Sequence, residues 1–279
     1  FGTLENKPSI ALVLESPLWV SKIFKRDVSK DIEWDKWGLY KVALLQGGYI
    51  LDTTKEGSRH TLEWMGENFN KSKLLQCYCP VNNRACKKVP AAKERKNQII
   101  HISRLTGYKN FLMPFEIAAE HKSKPHVVII AGHAIGEYKR ALEIESKKYG
   151  VSYELKEQIS EEEKFKSIKE SRLMTFPSLF EGQGLPPIEA ALSITPVVVY
   201  DLPVMREIHT YDPVENKTWP KFAKWNDKDD FKQKCFEILD KPDVDKNNIA
   251  KVWSHYLRFC SIEAFENNLK NIVEQIIKK

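Results

Sequence analysis

Short apolar runs alternate with amphipathic stretches along most of the chain after residue 97. A continuous apolar run of about four to six residues is typical of a strand buried on both faces, whereas apolar positions at helical spacing indicate a helix. This alternation predicts an α/β fold with a doubly wound parallel sheet. Strands are predicted at 99–103, 127–131, 152–155, 172–176 and 197–200, and helices at 111–121, 137–149, 161–171 and 187–192.

Local signals agree with this division into elements. Gly150 stands at a predicted helix end, where glycine readily adopts the left-handed conformation that closes many helices. Ser160 and Glu163 have the spacing of a capping box, in which the two side chains bond free N–H groups at a helix start. Because parallel strands joined by helices all end at one edge of the sheet, a ligand site is expected at that edge.

The first 90 residues carry a sparser version of the same pattern. Strands are predicted at 10–14, 49–53 and 74–79, with a helix at 58–65 and the end of another at 40–45. The polar segment 90–97 lacks periodicity and is interpreted as a linker between domains 1–90 and 98–279. A helix with one apolar face is predicted from Ser261 to Lys279, and such a face should pack rather than catalyse.

The composition is that of a soluble globular protein, with 42% hydrophobic residues in a chain of 279. No apolar run approaches the ~20 residues of a membrane-spanning helix, and the sequence begins without a signal-peptide pattern. The net charge of +6 suits anionic ligands but is spread too evenly to indicate nucleic acid binding. A small basic and aromatic patch is the candidate for peripheral contact with an anionic membrane: Trp19, Lys22, Phe24, Lys25 and Arg26.

Five cysteines, an odd number, indicate a reducing compartment rather than a disulfide framework, and we expect a cytoplasmic protein. Cys77, Cys79 and Cys86 lie close together in the sequence, and a strand through Cys77 and Cys79 would direct both thiols to one face. A zinc site, a Cys79–Cys86 disulfide and buried thiols all fit this cluster. No Cys-x-x-Cys pair or histidine partner supports zinc, so the pattern favours buried thiols.

The segment Leu179–Ala190 carries the strongest candidate chemistry. Two carboxylates, Glu181 and Glu189, flank a glycine turn that opens a helix with proline in its first turn. The N–H groups and the positive dipole at the start of that helix favour an anion, and a diphosphate is the best candidate. The segment therefore predicts a site for a sugar nucleotide.

Three stretches together resemble the retaining glycosyltransferases of the GT-B fold, the large family that includes glycogen, sucrose and lipopolysaccharide sugar transferases. They are Leu179–Ala190, the strand and turn Ile99–Asn110, and the stretch Thr195–Val199. The resemblance covers about Gln98 to Ile208. It implies a Rossmann-like C-terminal domain that binds the donor, and a last helix (261–279) that packs back on the N-terminal part.

Residues 1–90 are too short for a complete acceptor domain of this family, so we expect a partial Rossmann-like N-terminal domain. Its first strand, 10–14, should then have one neighbouring position empty or filled by another chain. Ser103 stands where the family usually has glycine, Gln183 where it has an aromatic residue, and Ser193-Ile194 where it has Cys-Gly.

Two cations and two carboxylates are the candidate functional side chains. Arg104 and Lys109 can neutralise the diphosphate of a departing nucleotide without a metal, Arg104 with a two-point fork and Lys109 as a point charge. The resemblance assigns Glu189 to the vicinal hydroxyls of the ribose and Glu181 to the donor sugar. For each of these residues the alternative is an ordinary surface ion pair or surface carboxylate.

The turn between the carboxylates is expected to bind through its backbone. Gly182, Gln183, Gly184 and Leu185 would offer N–H groups to sugar or phosphate, although a purely structural turn explains the same glycines. His133 follows a predicted strand at the same edge and is a candidate for lining the donor pocket, with a loop histidine as the alternative.

The leading hypothesis is a metal-independent retaining hexosyltransferase that uses a UDP-, GDP- or ADP-linked sugar and a sugar, lipid-linked or protein acceptor. The competing hypothesis is a nucleotide-sugar-binding fragment or module that performs no transfer in this form. A dinucleotide oxidoreductase is disfavoured because no G-x-G-x-x-G follows a first strand.

Overall fold

The computed structural model describes residues 10–13, 41–42, 44–45, 48–241 and 248–278. The chain divides into two compact units, one formed by Phe1–Pro80 with Glu263–Lys279 and the other by Val81–Ile262. The basic and aromatic patch expected at residues 19–26 lies outside the described residues.

The first unit contains a parallel sheet with strand order β1-β2-β3, formed by β1 (Ile10–Val13), β2 (Tyr49–Asp52) and β3 (Leu74–Gln76). Helix α1 (Lys55–Met65) follows β2 and is capped by Thr54, whose side chain accepts a hydrogen bond from the Gly57 N–H. The strand expected at 74–79 ends at Gln76, so Cys77 and Cys79 do not share a strand face as predicted.

The second unit is built around a larger parallel sheet. Its elements, in chain order, are α2 (Asn83–Lys88), β4 (Lys96–Ile102), α3 (Met113–Glu120), β5 (His126–Ala131), α4 (Gly136–Tyr149), β6 (Tyr153–Glu157), α5 (Glu161–Glu170), β7 (Ser171–Phe176), α6 (Leu185–Leu192), β8 (Val197–Tyr200), α7 (Pro203–His209), β9 (Thr210–Asp212), β10 (Lys217–Thr218), β11 (Lys221–Ala223), α8 (Lys228–Asp240) and α9 (Ile249–Cys260). Six strands pair in parallel in the order β11-β8-β7-β4-β5-β6, and β9 with β10 forms an antiparallel pair.

The predicted α/β fold with a parallel sheet is confirmed. Each predicted strand from 99 to 200 is present within a few residues of its expected bounds. Neighbouring residues of a strand point to opposite faces of the sheet, and both are buried, as Val127 and Val128 on β5 show. Helices α3, α4 and α8 cover one face with a core that includes Phe115, Leu142 and Phe231. Burial on both faces explains why the strands are continuous apolar runs.

Both local helix signals are confirmed. Gly150 closes α4 in the left-handed conformation, with φ 62° and ψ 33°. At the start of α5, the Ser160 hydroxyl accepts from the Glu163 N–H at 3.2 Å, and Glu163 Oε2 accepts from the Ser160 N–H at 3.0 Å. The capping box therefore fixes where α5 begins.

The last helix, α10 (Ile262–Ile277), contributes to the core of the first unit. Ile272 and Ile276 are buried in a cluster with Leu51 of β2 and with Cys77. The predicted apolar face is therefore used for packing along most of its length. Val273 is an exception, because it remains 38% exposed.

The division between the units precedes the predicted linker 90–97, since it falls between Pro80 and Val81. Helix α2 explains this difference because it is attached to the second unit. The Lys169 ammonium donates to the Cys86 carbonyl at 2.7 Å, and the Cys86 thiol lies 3.6 Å from the Leu192 carbonyl. Residues 90–97 therefore connect elements of one unit, and β4 begins at Lys96.

All five cysteines are free thiols, and four of them are buried. In the part of the chain that the structure describes, no group of three or more His, Cys, Asp or Glu side chains is arranged to hold a metal ion. No helix among these residues is long and apolar enough to cross a membrane.

The capping box gives a stability prediction. Ser160→Ala removes the hydroxyl that bonds the Glu163 N–H, so the free energy of unfolding should fall by about 1 kcal/mol in a urea titration. Ser160→Thr keeps a hydroxyl that can accept from the Glu163 N–H and donate to Glu163 Oε2, and it should retain most of the stability. Equal losses in the two variants would show that the cap bond contributes nothing.

Candidate functional site

Two loops meet at the carboxyl edge of the sheet, where the strand order changes direction. Strand β4 pairs with β5 on one side and with β7 on the other. The loops that follow β4 and β7 therefore start at neighbouring strand ends. The loops are joined directly: the Leu179 N–H donates to the Tyr108 carbonyl, and the Asn110 side chain donates to the Pro177 carbonyl, both at 2.9 Å. These bonds bring the predicted site residues of the two loops together.

Lys109 of the first loop and Glu181 of the second form an ion pair, with the ammonium bonded to Glu181 Oε1. Both side chains are only 8% exposed. The ammonium also lies 4.8 Å from the ring centre of Tyr108 and 5.7 Å from that of Phe176. Charges in such a shielded place interact more strongly than charges on the surface.

The glycine turn after Glu181 is tightly enclosed. Gly184 has φ 75°, and a Cβ atom at this position would lie 2.4 Å from Met205 Cε and 3.4 Å from a Phe176 ring carbon. The left-handed backbone and the close neighbours both favour glycine. The Gln183 side chain is buried and lies 3.7 Å from the Cys260 sulfur of α9, so it contributes to packing beneath the turn.

Helix α6 starts directly after this turn, at Leu185, with Pro186 in its first turn as predicted. Glu189 lies one turn further on and is buried at 7% side-chain exposure. Its Oε1 accepts from the Lys164 ammonium at 2.7 Å, and the same ammonium bonds Glu161 Oε1 at 2.7 Å. Lys164 therefore connects two carboxylates on two helices.

Burial raises the pKa of the Glu189 carboxyl, and the charge and hydrogen bond of Lys164 oppose this rise. Burial also lowers the pKa of Lys164, but the carboxylates of Glu189 and Glu161 outweigh it, so the net shift is upward. The two shifts favour opposite charge states for the pair. We take the pair as ionised at neutral pH, because one ammonium lies within hydrogen-bond distance of two carboxylates.

Two predicted residues lie at the same sheet edge but outside the buried pair. Arg104 is exposed and donates to the Tyr108 hydroxyl at 2.9 Å. His133 is exposed in the loop between β5 and α4, next to Ala134, whose N–H donates to Glu157. Arg104 is thus linked to the Lys109 loop through Tyr108, whereas no described contact ties His133 to the pair.

His101 and Lys164 are polar residues at this site that the sequence motifs do not predict. His101 is buried in β4, with Nδ1 at 3.0 Å from the Thr175 carbonyl and Nε2 at 2.8 Å from the Ser103 hydroxyl. Burial lowers the pKa of His101 to about 4, Thr175 opposes this, and the positive charge of Lys109 adds to it. The neutral ring joins β4 to β7 beneath the ion pair, and Ser103 supplies a hydroxyl that glycine would lack.

Residues 82–248 match the family of glycosyl transferases group 1. Because this match covers more than half of the 279 residues, the chain belongs to that family. It is 28% identical over 138 residues to the O-antigen chain mannosyltransferase RfbU of Salmonella typhimurium, covering 46% of this chain and 37% of that protein. The chain thus matches well under half of the length of this relative.

Two solved structures have a fold similar to that of this chain. The chain is similar to sucrose-phosphate synthase from Thermosynechococcus elongatus, with a TM-score of 0.73 and 15% identity over 96% of this chain and 68% of that one. It is also similar to Anabaena HepE, solved in complex with UDP and glucose, with a TM-score of 0.76 and 9% identity over 96% and 72% of the two chains. At these identities the likeness shows the GT-B fold.

The buried pair gives a prediction that does not require a known ligand. Lys109→Met leaves the Glu181 carboxylate buried without its partner, so the free energy of unfolding should fall by about 3–5 kcal/mol in a urea titration. The double variant Lys109→Met/Glu181→Leu removes both charges and should recover most of that loss.

A surface pair provides the control. Lys147 and Glu143 form an ion pair 2.7 Å apart on α4, with side chains 75% and 58% exposed. Lys147→Met should leave the unfolding midpoint nearly unchanged, because solvent screens this pair. A similar loss for Lys109→Met and Lys147→Met would contradict the importance assigned to burial.

Proposed function

We propose that this chain carries the donor-binding site of a metal-independent, retaining glycosyltransferase that takes a hexosyl group from a nucleotide diphosphate sugar. The observation that supports this most is the Lys109–Glu181 pair, which joins the loops after β4 and β7. In the sequence, Glu181 is followed by the Gly184 turn and by Glu189 on α6. Family membership and the UDP and glucose of the HepE structure agree with the proposal.

The proposed chemistry begins with departure of the nucleotide diphosphate from the anomeric carbon. Negative charge grows on the phosphate oxygens as that bond breaks, and positive groups nearby stabilise the transition state. Lys109 supplies a shielded ammonium and Arg104 an exposed guanidinium. Together with the N-terminus of α6, these groups take the place that a divalent metal would otherwise have.

Glu181 and Glu189 have different proposed partners. An ammonium has three donors, so Lys109 can keep its bond to Glu181 and still contact a phosphate oxygen. Glu181 would accept from a donor-sugar hydroxyl and stabilise positive charge near the anomeric carbon, while Glu189 would accept from the ribose hydroxyls. His133 and the backbone of Gly182 to Leu185 complete the proposed donor site.

Binding and transfer are tested separately. The chain is titrated with UDP, GDP and ADP and with their sugars, with and without EDTA, and release of nucleotide from the sugar donors is followed over time. Binding that survives EDTA, together with nucleotide release or transfer, is expected. Binding without turnover would favour a nucleotide-sugar-binding module, and loss of binding in EDTA would overturn the metal-independent site.

Substitution of the two carboxylates should have different effects on binding. Glu189→Gln should weaken binding of the free nucleotide by about 1–3 kcal/mol, because charged hydrogen bonds to the ribose are lost. Glu181→Gln should spare the free nucleotide and weaken binding or turnover of the sugar nucleotide. Isothermal titration of both variants with nucleotide and with sugar nucleotide measures this, and equal effects on the free nucleotide would contradict the division of roles.

A further inference from the structure

Lys164 occupies a place that neither the motif nor the proposed chemistry explains. It projects from α5, which lies outside the Leu179–Ala190 segment, yet its ammonium lies 2.7 Å from Glu189 Oε1. The Lys164 side chain is 16% exposed and the Glu189 side chain 7%, so solvent screens this pair little. A lysine placed so near a carboxylate that is proposed to bind the ribose must influence that binding.

The geometry leaves Glu189 able to accept from a ligand while Lys164 is bound. Lys164 contacts Oε1, and among the described residues the carboxylate has no second hydrogen-bond partner. A carboxylate has about four lone-pair positions on its two oxygens, so the single bond to Lys164 leaves hydrogen-bonding capacity for hydroxyl donors. The bond to Lys164 also fixes which way the carboxylate faces.

We propose that Lys164 is a positioning residue for nucleotide binding, because its ammonium holds the Glu189 carboxylate ionised and oriented to accept the ribose hydroxyls. This inference rests on the proposed function. Protonated Glu189 would lose acceptor capacity and gain an O–H donor, so the charge that Lys164 supplies sets the pH range over which nucleotide binds.

The other groups around Glu189 either oppose this effect or are neutral. Glu161, also on α5, adds a like charge that raises the Glu189 pKa further, after burial and against Lys164. From α2, Cys86 faces the same region, and burial raises the pKa of its thiol, which keeps it uncharged. Lys164 is therefore the group that favours the ionised form of Glu189.

More distant groups are committed elsewhere. Lys169 of α5 bonds the Cys86 carbonyl at 2.7 Å and also bonds Val89. Helix α9 packs against α6, but its His255 lies 2.8 Å from the Ile208 carbonyl, and Trp253 and Leu257 border the far end of α6. Strands β7 and β8 present buried apolar residues to α6.

The test compares nucleotide affinity across pH. Wild type, Lys164→Met, Lys164→Arg and Lys166→Met are titrated with UDP, GDP and ADP between about pH 5 and pH 9. Lys166 is exposed on the same helix and is the matched control. The terminal phosphate of the nucleotide also titrates near pH 6, but it does so for every variant, so the ratio of affinities to wild type isolates Glu189.

Removal of the ammonium should raise the Glu189 pKa, so Lys164→Met should lose affinity at a higher pH than wild type does. The affinity on the acid side should therefore fall severalfold relative to wild type, and the affinity ratio should approach one as the pH rises and Glu189 ionises in both proteins. Lys164→Arg and Lys166→Met should follow wild type. Thermal unfolding checks that each variant is folded, and Lys164→Gln serves the same comparison if the methionine variant is not.

Combining Lys164→Met with Glu189→Gln tests whether the effect of Lys164 acts through Glu189. In Glu189→Gln, which cannot ionise, Lys164→Met should produce no pH-dependent change in the affinity ratio. Two results would overturn the inference while leaving the proposed function standing. One is a ratio of Lys164→Met to wild-type affinity that is constant with pH, and the other is a pH dependence of this ratio that persists in the Glu189→Gln background. Failure of wild type to bind any of the three nucleotides would instead overturn both.

Discussion

The buried ion pair between Lys109 and Glu181 is the interaction on which the arrangement of the site depends. Two unlike charges that are almost entirely shielded from solvent must stay together, because separating them leaves each one uncompensated. The pair therefore holds the loop after β4 against the loop after β7. The backbone bond from Leu179 to Tyr108 and the side-chain bond from Asn110 to Pro177 act in the same place. A site at a strand switch is fixed here by charge as well as by topology.

Helix α6 connects the loop that carries Glu181 to Glu189. It begins at the enclosed Gly184 turn, carries Glu189 one turn later, and ends near Ile194, whose φ of 58° is unusual for a β-branched residue. The strain there is of order 1–3 kcal/mol and needs support from the surroundings. Arg95 gives that support, since it donates to the Ile194 carbonyl at 2.7 Å and to the Thr195 hydroxyl at 3.0 Å. Because the usual family residue at this turn is glycine, the Arg95 contacts explain how isoleucine is tolerated.

The parts of the structure that depend on local sequence could be predicted. Apolar runs identified the strands, and Gly150 and the Ser160 capping box identified helix ends, because each signal acts over a few residues. Helix α2 and strand β11 were missed because they have only six and three residues, too few for a periodic pattern, whereas helices α8 and α9 were missed although they have 13 and 12 residues. The division at Pro80 was missed because it depends on where α2 packs. Spacing suggested the two glutamates, but it contains no information on a partner such as Lys164, which lies 25 positions from Glu189.

The two glutamates of the motif, Glu181 and Glu189, have the same kind of environment. Each is buried, each pairs with a lysine from another element, and each lysine lies within bonding distance of a carboxylate oxygen. For Glu189, burial raises the pKa of the carboxyl and Lys164 opposes that rise, which would preserve the acceptor capacity that the proposed function requires. Pairing with a lysine keeps the charge and leaves lone pairs for a ligand. A nucleotide sugar bound as proposed would meet side chains that are already ionised and already shielded from water, so less of its binding energy would be lost to desolvation of the protein.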